Sequence, residues 1–160
     1  MDGMTPRAQQ VLEQIKAAFP AFPFPETEEV NEWDLYAHDP ERLEIAAFFK
    51  GKKWTDVSVK NIRFFYPALV LFSPLAYRCF LPGFMAGVLQ DPEAADVACD
   101  SVVFSLRTGS YRDPGEFPRR MEGFTREQRE AIRKFLEWFR DELFDDRAGK
   151  ALEEYWSKVD

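Results

Sequence analysis

A short polar residue followed by proline occurs at Thr5-Pro6, Asp39-Pro40, Ser73-Pro74 and Asp91-Pro92. The polar side chain can accept hydrogen bonds from the free N–H groups of a helix's first turn. Proline in the next position loses nothing, because its missing N–H has no partner there anyway. Apolar residues at helical spacing follow each pair. Four such starts in 160 residues predict a mainly α, single compact domain of about six to seven helices. Two stretches, near residues 33–36 and 57–65, leave room for a short strand.

The first helix is predicted from Pro6 to Phe19, with Val11, Leu12 and Ile15 on one face. Pro20, Pro23 and Pro25 end it and read as a stiff extended linker laid over the core by Phe22 and Phe24. In the acidic stretch that follows, Trp33, Leu35 and Tyr36 are the candidate strand. A second helix runs from Pro40 to a C-cap at Gly51. Over 55–66, Val57 and Val59 alternate as in a strand, but Ile62, Phe65 and Leu69 fit a helix, which is the reading preferred. The Ser73-Pro74 helix contains Pro82, which should kink or split it. The Asp91-Pro92 helix is expected to continue to about Leu106.

Arg107 to Gly123 is the longest predicted loop, with Asp113-Pro114-Gly115 as a turn rather than a helix start. Long loops inside small domains are often functional. Thr125 and Gln128 form a capping box for a helix reaching about Phe144. Its Arg133–Glu137 and Glu130–Lys134 spacings suggest i,i+4 ion pairs on a solvent face. A last helix carries Leu152, Tyr155, Trp156 and Val159.

Composition narrows the partners. Lys+Arg is 21 against Asp+Glu 28, a net charge of -7. That disfavours nucleic acid and anionic membrane surfaces, both of which need a basic face. Phe64 to Leu89 carries one charge, Arg78, and is long enough to span a bilayer. Pro67, Pro74 and Pro82 argue instead for buried core. The first residues show no secretory pattern, so a cytoplasmic location is expected. Cys79 and Cys99 form no C-x-x-C pair and both lie in apolar stretches; whether they pair with each other is open.

Three motifs occur in order. Phe49-Lys50-Gly51-Lys52-Lys53-Trp54 gives F-x-G-x-x-W, Leu81-Pro82-Gly83-Phe84-Met85 gives L-P before an aromatic and Met, and Thr125-Arg126-Glu127-Gln128 gives T-x-E-Q. Together, over Ile15 to Phe139, they resemble a small uncharacterised bacterial family of unknown function. The resemblance implies a compact fold and a bacterial or phage source, and no activity. Each motif also has a structural reason: Gly51 ends a helix so that Trp54 folds back, Pro82 sets a bend, and Gln128 caps.

Chemistry is sparse. His38 is the only histidine, no nucleophile elbow presents a serine, and no glycine-rich phosphate loop exists. No cofactor is called for. Glu28, Glu29, Glu32, Asp34, His38 and Asp39 read as a solvated acidic segment rather than a cation site. The candidate interaction residues are Trp54, Arg107, Tyr111, Arg112 and Trp138. The first functional expectation is a small acidic, non-catalytic protein-binding module of immunity or regulatory type. The alternatives are an enzyme with a carboxylate-based site near the 107–123 loop and a small-ligand sensor with an aromatic-lined cavity.

Overall fold

The computed structural model describes residues 3–32 and 38–159. All four polar–proline pairs start helices. Thr5, Asp39, Ser73 and Asp91 each accept a hydrogen bond from the backbone N–H three residues on, at Ala8, Arg42, Ala76 and Ala94. The helices they open are α1 (Pro6–Ala18), α2 (Pro40–Phe49), α5 (Pro74–Gln90) and α6 (Pro92–Ala95). Between them lie α3 (Val59–Phe64) and α4 (Ala68–Leu71). The chain continues through α7 (Val97–Ser105), α8 (Glu116–Met121), α9 (Arg126–Glu142) and α10 (Asp146–Ala151). A 3-10 turn covers Trp54–Asp56, and a widened π turn, Leu152–Trp156, follows α10.

The described residues thus hold ten α-helices rather than six or seven, and no strand. One cause is Asp96, whose φ of 50° breaks the expected Pro92–Leu106 helix into α6 and α7. Another is Ser58. Its side chain accepts from Asn61 N–H while Asn61 accepts from Ser58 N–H. This capping box turns the Val57/Val59 alternation into a helix start, so the helix preferred from the sequence forms and the short strand for which 57–65 left room does not. The candidate strand near 33–36 lies outside the described residues. Among the described residues extended pairing is limited to one antiparallel bridge, Asn31 to Phe72, flanked by Glu32 N–H to Leu71 C=O (2.8 Å) and Ser73 N–H to Val30 C=O (2.8 Å).

The core is built round α5, in which every residue from Ala76 to Leu89 except Arg78 is buried. A helix apolar on all sides has no solvent face and must be enclosed. It is: α1, α3, α6, α7, α8 and the Trp54 turn all pack against it. Pro82 does not split it, since enclosure from all sides outweighs the roughly 3 kcal/mol that an internal proline forfeits. No helix among the described residues is long and apolar enough to cross a membrane.

Glycines let neighbours approach α5. A Cβ on Gly83 would lie 2.9 Å from the Trp54 carbonyl oxygen, and one on Gly87 would collide with the Ile62 side chain. Gly87→Val is therefore expected to destabilise by about 1–3 kcal/mol. Chemical denaturation measures it, and a change below a few tenths would show that α3 yields freely.

Gly51, at φ 77°, turns the chain after α2 so that Trp54 folds back, and the indole N–H donates to Phe19 C=O (3.0 Å). The proline linker is anchored by one ring rather than two: Phe24 is buried against Phe80, whereas Phe22 is exposed. At the far end, α1 packs on α9. Gln128 completes its capping box with Thr125 and also donates to Ala18 C=O (3.2 Å), while Arg7 reaches Asp141 (2.9 Å) and Glu142 (3.2 Å). On α9, Glu130 pairs with Arg133 and Lys134 with Glu137, at i,i+3 instead of the expected i,i+4, and Arg140 pairs with Asp141.

Candidate functional site

The 107–123 segment is less of a loop than its composition suggests. Asp113 accepts from Gly115 N–H (2.9 Å), a turn that leads straight into α8. That helix delivers Arg120 to the interior. Its side chain is 1% exposed, as buried as the core phenylalanines. Arg120 Nη1 donates to Leu69 C=O (3.1 Å), and Nη2 donates to Val70 C=O (3.2 Å) and Phe72 C=O (2.6 Å). These carbonyls end α4, where the helix itself offers no donors. Arg120 Nε donates to Glu116 (2.9 Å), which also accepts from Arg119 (2.5 Å).

Two phenols complete this node. The guanidinium lies 5.3 Å from the Tyr77 ring centroid and 5.0 Å from that of Tyr111. Tyr111 donates to Ser105 C=O (2.8 Å), and Tyr77 shares a hydrogen bond with Ser105 Oγ (3.0 Å). Burial pushes both phenols above their ordinary range, so they remain neutral at physiological pH. Outside the node, Tyr111, Arg112, Asp113, Glu116, Arg120 and Glu32 border an open groove of about 250 Å³.

A family model described as a family of unknown function, DUF6714, matches residues 7–160. The chain belongs to DUF6714. The match extends on both sides of the Ile15–Phe139 stretch over which the three motifs carried the resemblance. No curated protein and no solved structure matches the chain.

In this DUF6714 chain the five residues singled out from the sequence do not form one site. Tyr111 and Arg112 share the groove, and Arg112 is exposed there. Arg107 turns away to the carboxy-terminal turn, where it pairs with Glu154 (2.7 Å) beside the Thr108 hydroxyl. Its Nε is buried without a hydrogen-bond partner. Trp54 and Trp138 are core residues, 5% and 3% exposed, so neither offers its ring face to a protein partner. The sequence search missed Arg120. An arginine amid Pro, Gly and Glu reads as surface, and only its wide separation from Leu69 and Phe72 along the chain shows what it binds.

The carboxylates nearest the groove are engaged. Glu116 accepts from two arginines, Glu32 from Arg119 (3.1 Å), and Asp113 from its own turn. A general acid or base needs a carboxyl free to exchange a proton with substrate. Glu116, held between Arg119 and Arg120, is the least available of the three. Among the described residues no three His, Cys, Asp or Glu side chains gather as metal ligands; Asp34 lies outside them. Cys79 and Cys99 are free thiols. Burial pushes Cys79 up to about 12 and Cys99 up to about 11, which keeps both protonated and poorly nucleophilic at neutral pH.

Proposed function

We propose that this protein is a non-catalytic binding module, an acidic bacterial cytoplasmic protein of immunity or regulatory type, whose partner is a basic protein. What carries the reading is a set of exposed apolar side chains around α7. Phe64 is 65% exposed, Phe104 49% and Phe144 89%, with Val97 and Tyr66 also exposed. Two ion pairs tie their elements to α7: Arg63 with Asp96 (2.8 Å) and Arg147 with Asp100 (2.6 Å). Large exposed aromatics on neighbouring elements are a signature of interaction surfaces. Asp96, Asp100 and Asp145 at this surface are paired with Arg63 and Arg147, so the preference for a basic partner rests on the net charge of -7.

Phe144 strengthens the reading. It has φ 53°, a conformation that suits glycine and disfavours a bulky residue by about 1–2 kcal/mol. A phenylalanine kept there, almost wholly in solvent, serves something other than stability. Phe144→Gly and Phe104→Ser are expected to leave stability unchanged or higher. In affinity capture from the native host, the same substitutions should reduce recovery of one basic protein at least several-fold. Undiminished recovery of that protein, or no protein specifically retained by the unaltered chain, would refute the module.

A further inference from the structure

Arg78 is the one charged residue of α5, and it is half-buried. Its Nη1 donates to the carbonyls of Arg119 (3.4 Å) and Arg120 (3.1 Å), capping the end of α8. Among the described residues Glu122 acts on it without a contact ion pair, and Nη1 alone of its nitrogens makes a hydrogen bond. Nε and Nη2 form the edge of the guanidinium that matches a carboxylate with two parallel hydrogen bonds. Burial pulls Arg78 below its ordinary value and the neighbouring Arg120 adds to this, while the Glu122 carboxylate opposes it.

The side chain borders a cleft of about 150 Å³ whose other walls include Phe22, Trp54, Leu75, Cys79 and Pro82, and no acidic residue lines it. Gly123 lets the guanidinium lie against its backbone, since a Cβ there would collide with Arg78. Phe22, exposed on the proline linker, stands at the cleft as a ring not consumed by the core. The volume is well below the roughly 300–1,000 Å³ of drug-sized sites. A single ring bearing one anionic group is the scale of occupant it takes.

We propose that this cleft binds a small apolar monocarboxylate, with its carboxylate on Nε and Nη2 of Arg78 and its hydrocarbon body against Phe22, Trp54 and Leu75. The inference is independent of the α7 surface and gives the protein a ligand that its binding role does not require.

Benzoate is a suitable probe, followed by ¹H–¹⁵N NMR on the full chain at the Trp54 indole N–H and the Arg78 Nε–H. A saturable shift at both groups is expected. Benzamide, which is uncharged, and acetate, which lacks the ring, should each bind about tenfold more weakly or worse. Arg78→Lys keeps the charge but loses the planar fork, and should weaken benzoate about tenfold. Phe22→Ser, a surface change that spares the fold, should weaken it several-fold. No saturable shift, equal binding of benzamide or acetate, or unaltered affinity in folded Phe22→Ser protein would each overturn the assignment.

Discussion

Arg120→Met is expected to lower unfolding free energy by about 3–5 kcal/mol, the range for breaking a buried charged network by removing one partner. Methionine fills most of the arginine's volume, so the loss would not come from a cavity. It would come from the carbonyls of Leu69, Val70 and Phe72, which would lose their donor inside the protein. Each buried group left unsatisfied costs about 1–3 kcal/mol. Glu116 would keep Arg119 but lose its inward partner. Arg120→Lys should fall between the two, because one ammonium cannot serve several carbonyls and a carboxylate in a planar fork. Urea unfolding followed by tryptophan fluorescence gives the difference. A loss under about 1 kcal/mol would mean that the α4 end finds other donors or water.

Phe49→Ala should have an effect of similar size, about 3–5 kcal/mol, for a different reason. Phe49 is fully buried at the end of α2. Its ring centroid lies 4.8 Å from Phe80, 4.9 Å from Phe48, 5.0 Å from Phe72 and 5.5 Å from Phe65. Truncation empties the junction at which α2, the α3–α4 turn and α5 meet, where the neighbours are phenylalanine rings. At roughly 2–4 °C per kcal/mol for a chain near this size, melting by circular dichroism should show a drop well outside error. Phe49→Leu should recover much of it by refilling the space. If alanine and leucine melt alike, ring packing is not what holds this junction.

These two residues also mark what could be read from the chain and what could not. Phe49 was legible: it lies on the apolar face of a helix announced by Asp39-Pro40 and closed by Gly51. The four polar–proline starts and the Thr125–Gln128 box are local devices, complete within four residues, so the sequence displays them whole. Arg120 was not legible, because its partners sit about fifty residues away and only the tertiary fold joins them. The break at Asp96 was hidden for a related reason. Nothing in Ala-Asp-Val resembles a helix stop, and the left-handed residue there is imposed by how α6 and α7 must each pack on α5. The candidate site fared unevenly. Tyr111 and Arg112 do share a groove, but the tryptophans chosen as partner contacts were drawn into the core by their size. Arg78 reads in the sequence only as a lone charge in an apolar run, and the cleft it borders, lined by no acidic residue, is visible only in three dimensions.

The contact between α1 and α9 has a consequence for how the molecule is made. The face of α1 that meets α9 cannot be covered until Glu142 has been synthesised. At about 5–20 residues per second, that is roughly 6–25 s after Ala18. Val11, Leu12 and Ile15 have no α5 to shelter them until Gln90 is made, and no α9 for the rest of that interval. The α1 face is therefore open to capture by chaperones throughout that interval.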